Sequence, residues 1–246
     1  MTQKPYLSVI IPAYNEAKSL PITLIDIDRH LSKASFLYEI IVVDNGSTDA
    51  TKEVALRFKS LIKNLRVVDC PPKVLGNSKG AAVQKGMLEA KGSIRLFTDA
   101  DNSTSVDHFF KMEKYFKEGA DVVIASRYIP GARMEPSQPK YRQLMRGNFF
   151  IQWMLLKGIK DTQCGFKAFT QEAATTLFPL VGIPGWAFDV EVLALARQKG
   201  FRIVEVPVLW VNRFGSRVKL SGFVKFFFDV IRLKFRFIRG YYQKER

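Results

Sequence analysis

The sequence predicts an α/β domain built on a mostly parallel sheet with helices on both faces. Three observations predict it. Short β-branched runs recur at Tyr6 to Ile11, Glu39 to Val43, Leu65 to Val68, Ile94 to Thr98 and Val122 to Ala125, with a helix-length segment between each and the next. The runs are almost continuously apolar, as strands covered on both faces must be. Finally, 246 residues with 47% apolar content are enough to bury one full core. The expected organisation is one domain over 1–219, followed by an amphipathic helix and tail over 220–246.

The first strand runs into Pro12-Ala13-Tyr14-Asn15-Glu16, and a helix follows through Leu20, Leu24, Ile27 and Leu31. The second ends in Asp44-Asn45-Gly46-Ser47-Thr48-Asp49, where Asn-Gly marks a turn and Asp49 can cap the next helix. After the third strand a glycine-bearing loop leads into a helix over Ala81 to Leu88, with Lys79 and the helix N-terminus available to a phosphate. The fourth strand ends in Thr98-Asp99-Ala100-Asp101. Extended backbone sends alternate side chains to one face, so Asp99 and Asp101 share a spot. Two acids there also suit a cap or a solvated turn. As ligands they suit a hard cation, Mg²⁺ or Mn²⁺, bridging to the phosphates of a substrate.

Beyond Arg127 the alternation stops. Pro130, Gly131, Pro136 and Pro139 predict a long loop, and Tyr141 to Lys157 a helix led by Arg142 and Arg146 with aromatic residues behind them. Asp161 to Lys167 reads as a polar bend. Trp186-Ala187-Phe188-Asp189-Val190-Glu191 opens a helix whose two acids suit its dipole. Phe201 to Val211 reads as the last strand, followed by the basic run Asn212 to Lys219. Phe223, Phe226, Phe227, Val230, Ile231, Phe237 and Ile238 then recur at helical spacing opposite Lys225, Asp229, Arg232, Arg236 and Arg239, a basic amphipathic helix.

In open parallel sheets ligands bind beyond the carboxyl ends of the strands. Tyr14, Glu16, Asp44, Asp99, Asp101 and Arg127 all fall at such ends and are expected to line one crevice. Lys and Arg outnumber Asp and Glu by 38 to 23, a formal +15, which favours anionic partners: phosphorylated substrates, an anionic membrane or nucleic acid. Two distant cysteines, Cys70 and Cys164, give neither a disulfide framework nor a zinc site and suit a reducing compartment. No stretch reaches the roughly 18 apolar residues of a membrane span, and the run before Pro12 is too short for a signal peptide, so a cytoplasmic protein is expected.

Competing motifs fare poorly. Neither a Gly-x-Gly-x-x-Gly fingerprint nor a Walker loop is present. Gly76-Asn77-Ser78-Lys79-Gly80 matches a hydrolase nucleophile elbow, but Pro71 and Pro72 break the strand it requires, and the base downstream, His108, falls within a helix pattern. A basic nucleic-acid-binding module is the non-enzyme alternative. It lacks a recognised nucleic-acid fold, and its sheet-end acids would repel phosphate, so no nucleic-acid partner is expected.

Taken together, Val9 to Glu16, Val42 to Asp49 and Asp99-Ala100-Asp101 resemble the nucleotide and metal signatures of family 2 glycosyltransferases with the GT-A, Rossmann-like fold. Lys157 to Lys167 and Trp186 to Glu191 are most similar to dolichyl-phosphate β-glucosyltransferases, with dolichol-phosphate mannose synthases, which use GDP-mannose, the alternative. The resemblance implies that Pro12, Tyr14, Glu16 and Asp44 hold the nucleoside, and that Asp99 and Asp101 hold the diphosphate and metal. It implies that Arg127, Arg142, Arg213 and Lys219 hold the acceptor's phosphate, with Asp101 and Asp189 at the reaction centre and Asp189 an orienting group. Two positions depart from the pattern. Ser103 stands where mannose synthases often carry a metal-reaching glutamine, and Val218 replaces a serine before the matched lysine. The eukaryotic glucosyltransferases' N-terminal membrane anchor has no counterpart before Tyr6. The implied activity is transfer of a hexose, glucose first, from UDP-glucose or another nucleotide sugar to a polyprenyl or dolichyl phosphate. The implied place is the cytoplasmic face of a membrane, with the enzyme bound peripherally.

Overall fold

The structure is a computed structural model that describes residues 3–70, 78–137, 148–213 and 220–243. In chain order it contains β1 (Leu7–Ala13), α1 (Leu20–Leu31), β2 (Tyr38–Asp44), α2 (Thr51–Leu61), β3 (Leu65–Asp69), α3 (Lys79–Glu89), β4 (Ile94–Thr98), α4 (His108–Lys117), β5 (Val122–Ser126) and β6 (Arg133–Glu135). It continues with α5 (Asn148–Met154), β7 (Phe166–Thr170), α6 (Gln171–Leu177), α7 (Phe188–Gln198), β8 (Ile203–Pro207), β9 (Leu209–Val211) and α8 (Leu220–Ile238).

Seven strands form one sheet in the order β3-β2-β1-β4-β7-β5-β8. All neighbours are parallel except β7, which runs antiparallel to both β4 and β5. Strand order reverses between β1 and β4, so the loops beyond Ala13 and Thr98 diverge and leave a crevice at that point. Alternation on β1 shows how the sheet is covered. Leu7, Val9 and Ile11 enter one core with α1, α2 and α4, while Ile10 enters the other with α3, α6 and α7. The i, i+4, i+7, i+11 stripe Leu20, Leu24, Ile27 and Leu31 is buried as its spacing predicts.

Two expectations from the sequence fail here. Residues 166–170 form the antiparallel strand β7 at the centre of the sheet, not the end of a polar bend, because Lys167 places its charge inside the protein against a counterion and the flanking Phe166, Ala168 and Phe169 are fully buried. The expected strand Phe201 to Val211 is two strands. Pro207 has no N–H to continue the ladder, and β9 leaves the main sheet to pair with β6. His108 is a buried structural histidine: its Nε2 accepts from Leu209 N at 3.2 Å, and burial holds its pKa below the ordinary value. The helix expected over Tyr141 to Lys157 is described as α5, and its first residues, Arg142 and Arg146 included, lie outside the described residues.

The C-terminal helix α8 shares the core of the domain. Phe226, Val230 and Leu233 are buried among residues of α3, α6 and α7, and Phe227 stacks near Phe150 of α5 at 5.1 Å. Glu191, fully buried on α7, accepts from Gly182 N at 3.1 Å and Ile183 N at 2.7 Å, and from the Tyr242 hydroxyl beyond α8. Its carboxylate thus fastens a turn and the chain's end, more than serving the helix dipole. Among the described residues no helix is long and apolar enough to cross a membrane.

Candidate active site

Two loops are stitched together at one side of the crevice by Asn15. Its Oδ1 accepts from Thr48 N at 2.8 Å and Asp49 N at 3.3 Å, and its own N–H donates to Ser47 Oγ at 3.1 Å. Asn15 adopts φ 54°, a left-handed conformation that asparagine tolerates better than most residues. Asp49 accepts from Thr51 N at 3.0 Å, the first helical N–H of α2, and from Ala17 N at 3.3 Å. Asp44 ends β2 almost fully buried. Its Oδ2 accepts from Ser47 N at 3.3 Å, while Oδ1 is buried without a hydrogen-bond partner among the described residues. Tyr14 is 42% exposed beside this loop pair, with Pro12 and Glu16 on the same segment. A buried acceptor left open at a strand end is costly unless a ligand's donor meets it.

Across the crevice, β4 delivers Asp99 and Asp101. Asp99 N donates to Gly165 O at 3.1 Å, extending the β4–β7 ladder by one residue. The sequence did not single out Gly165, yet a Cβ there would stand 2.0 Å from Asp99 Oδ2. Only glycine lets the carboxylate lie against the β7 backbone. Gly165→Ala is therefore expected to fold but to turn the Asp99 side chain away. Its expected effect is a loss of transfer rate on the order of the 10²-fold that a 1 Å misplacement costs, with melting temperature within a few degrees of the parent.

Charge alternates through the site. Lys167, fully buried on β7, donates to Asp189 Oδ1 at 2.5 Å and to Cys164 O at 2.6 Å. Burial raises the Asp189 carboxyl pKa, opposed by the charges of Lys167 and Lys79. Lys79 Nζ, at the start of α3, lies 2.5 Å from Asp99 Oδ1. Burial disfavours its charge, but Asp99, Asp189 and Asp101 outweigh this and raise its pKa. Asp101 Oδ1 accepts from Ser103 N at 2.9 Å, and burial together with the Asp99 charge raises its pKa. Three carboxylates thus face two ammonium groups, and the surplus negative charge falls on the Asp99–Asp101 pair. Hard oxygen donors with a surplus charge fit a divalent cation of the Mg²⁺ or Mn²⁺ type. Among the described residues no cluster of three or more His, Cys, Asp or Glu side chains forms a closed cage, and such ions are ordinarily bound by one or two carboxylates plus substrate phosphates. Cys164 is buried beside this network, and burial pushes its thiol up to about 11, so it stays protonated and inert.

The basic residues expected at the acceptor's phosphate divide three ways. Arg213 reaches the site: its Nε donates to Asn102 O at 3.3 Å, in the turn that carries Asp101, and Asn102 holds φ 51°. Arg127 is committed elsewhere. Its Nε and Nη2 donate to the two Asp161 oxygens at 2.7 and 2.8 Å, its N–H to Asp161 Oδ2 at 3.0 Å, and its guanidinium lies between the Tyr128 and Trp210 rings. A fork already holding a carboxylate bidentately is not a free phosphate clamp, so the geometry makes Arg127 a bolt between β5 and the 161–165 segment. Arg142 and Lys219 lie outside the described residues. Asp161, Lys167, Gly165 and Asn15 are the site-building residues that sequence reasoning missed. Asn15 lies in the loop 12–16 and the other three in the segment 157–167, both covered by the resemblance, but nothing local to these residues reveals their partners.

Comparison with known proteins places this arrangement. The glycosyl transferase family 2 profile matches residues 8–178. A dolichyl-phosphate beta-glucosyltransferase of Dictyostelium discoideum is 37% identical over 250 residues, covering 96% of this chain and 76% of the relative. The Homo sapiens dolichyl-phosphate beta-glucosyltransferase is 34% identical, covering 98% of this chain and 78% of the relative. Among solved structures, glucosyl-3-phosphoglycerate synthase of Mycobacterium tuberculosis with Mn²⁺, UDP and glucosyl-3-phosphoglycerate matches with TM-score 0.65 and 23% identity, over 93% of this chain and 78% of that one. That likeness shows a shared fold.

Proposed function

This chain belongs to glycosyl transferase family 2, and from that premise we propose that it transfers glucose from UDP-glucose to a dolichyl or related polyprenyl phosphate, working peripherally at the cytoplasmic face of a membrane. The observation that carries the reading is the surplus negative charge of Asp99 and Asp101 at the sheet's switch point, in a chain similar along nearly its whole length to dolichyl-phosphate beta-glucosyltransferases.

The open Asp44 Oδ1 accepts a donor of the nucleoside, with Pro12, Tyr14 and Glu16 beside it. Asp99 and Asp101 would hold a divalent cation, which when bound would supply charge neutralisation to the departing diphosphate. Lys79 lies on the same carboxylate, where its ammonium is placed to meet a donor phosphate. The acceptor needs little activation. A phosphomonoester has its second pKa near ~6 and is already anionic at neutral pH. One of its oxygens forms the new bond to the anomeric carbon, the bond from that carbon to the diphosphate breaks, and the electron pair leaves with the nucleoside diphosphate. In-line attack inverts the centre and gives a β-linked sugar phosphate. This accords with Asp189, whose carboxylate is bound to Lys167 and orients charge instead of taking a proton. Arg213, and by resemblance Arg142 and Lys219, hold the incoming phosphate against the site's own negative charge.

The test is to incubate the protein with labelled UDP-glucose or GDP-mannose and a short polyprenyl phosphate, and to identify the lipid product. A β-glucosyl phosphate lipid made only with added Mg²⁺ or Mn²⁺ is expected. A mannosyl product would transfer the reading to a dolichol-phosphate mannose synthase, and no lipid product from either donor would overturn the acceptor assignment.

A further inference from the structure

Helix α8 carries two apolar stripes. Phe226, Val230 and Leu233 are buried in the domain, while Phe228, Ile231, Phe235 and Ile238, again three and four residues apart, are 68%, 37%, 54% and 68% exposed. Between the stripes run Lys225, Asp229, Arg232 and Arg236, at spacings of four, three and four, which place them on one flank of the helix. That flank faces the turn 182–186 and the start of α3 across a cavity of about 340 Å³, lined by Lys79, Gly182, Trp186, Lys225, Asp229, Arg232 and Arg236 among others.

Four cations and one acid line this space. Lys79 is paired with Asp99, and Arg236 Nη1 lies 3.5 Å from Glu191 Oε1 with no closer hydrogen-bond partner among the described residues, its guanidinium 5.2 Å over the Tyr241 ring. Among the described residues neither Lys225 nor Arg232 forms an ion pair with a carboxylate. A second cavity continues along the helix past Arg232, Phe235, Arg236, Arg239 and Tyr241. The chemistry therefore comes in two adjoining parts: a cationic recess in which, among the described residues, Lys225 and Arg232 have no carboxylate partner, and beside it a stripe of exposed aromatic and aliphatic side chains. Soluble anions match the first part alone, and so does the backbone of a nucleic acid. An anionic phospholipid matches both, with its phosphodiester in the recess and its acyl chains against the phenylalanines.

We propose that the cavity between α8 and the 182–186 turn is a binding site for the phosphate headgroup of an anionic membrane phospholipid, separate from the acceptor's phosphate at Arg213. The site orients the domain on the bilayer, with the apolar stripe of α8 in the headgroup boundary and the donor crevice joined to the headgroup recess through Lys79. This rests on the peripheral membrane reading above but does not depend on which sugar or acceptor is used.

The experiment uses the intact protein and vesicles of phosphatidylcholine with or without phosphatidylglycerol, containing neither sugar nucleotide nor polyprenyl phosphate. Binding is followed by co-sedimentation and by tryptophan fluorescence, since Trp186 lines the cavity at 40% exposure. The parent protein is expected to prefer phosphatidylglycerol vesicles. Lys225→Gln combined with Arg232→Gln should lose about tenfold or more of that affinity, whereas Lys33→Gln combined with Lys91→Gln, the same charge loss at exposed positions elsewhere, should lose less than about threefold. All four side chains belong to exposed residues, so a thermal melt should show each variant folded. Equal losses in the two pairs, or undiminished binding by the Lys225/Arg232 variant, would overturn the site. So would glycerol 3-phosphate displacing the protein from vesicles at the concentration of lipid phosphate, which would assign the recess to a soluble phosphoester, or duplex DNA competing equally. Because transfer is assayed separately on a short acceptor, failure of the glucosyltransferase reading and failure of the headgroup site give different results.

Discussion

Asp101→Asn is expected to lower sugar transfer by at least about 10²- to 10³-fold, the scale on which removing one preorganised electrostatic partner of a transition state is felt, while leaving the fold intact. The fold survives because Ser103 holds Asp101 through its N–H, an interaction that asparagine's carbonyl retains. It also removes the surplus charge that burial and Asp99 make unfavourable in the free protein, so the melting temperature should be unchanged or slightly higher. Activity falls because the remaining charges then balance: Lys79 neutralises Asp99, Lys167 neutralises Asp189, and nothing draws a cation to the crevice. Titration with Mn²⁺ in the presence of UDP should show weakened metal binding in the variant, and excess EDTA should reduce the parent to the variant's level. Full activity of Asp101→Asn, or of the parent in EDTA, would sink the assignment of this pair.

The sequence made the frame of this site legible because the frame obeys local rules. Apolar β-branched runs ending in polar clusters mark the carboxyl ends of buried strands, and Asp44, Asp99 and Lys79 sit where that rule puts them. What remained hidden depends on partners distant in sequence. Lys167 closes a segment that reads as a polar bend, and only Asp189, beyond two helical segments, makes its charge tolerable inside a sheet. Gly165 reads as a bend glycine, because the carboxylate it makes room for is 66 positions away. Arg127 reads as a phosphate fork at a strand end, and its true partner Asp161 lies in a segment with no periodicity to reveal it. In α8 the helical spacing was plain, but spacing alone could not say that one apolar stripe is packed and a second is exposed.

Lys167→Met is expected to cost about 3–5 kcal/mol, because it leaves the Asp189 carboxylate buried without its counterion, and in a chain of this size to lower the melting temperature by on the order of 10 °C. Methionine is close to lysine in volume and keeps an apolar stem beside Phe97, whose ring lies 5.3 Å from the ammonium, so a cavity is not the cause. The double variant Lys167→Met/Asp189→Leu separates two roles of the pair. A buried ion pair exchanged for apolar side chains of similar size is often neutral for stability, so the double variant should recover most of the lost melting temperature. Activity should not recover. Asp189 also stabilises the charge of Lys79, and without it that ammonium is left to Asp99, with the Asp101 charge nearby, held more tightly and less available to a donor phosphate. A raised KM for the nucleotide sugar in a well-folded double variant is the expected signature. If stability and the full activity profile return together, the pair only fills the sheet, and Asp189 has no part in placing Lys79.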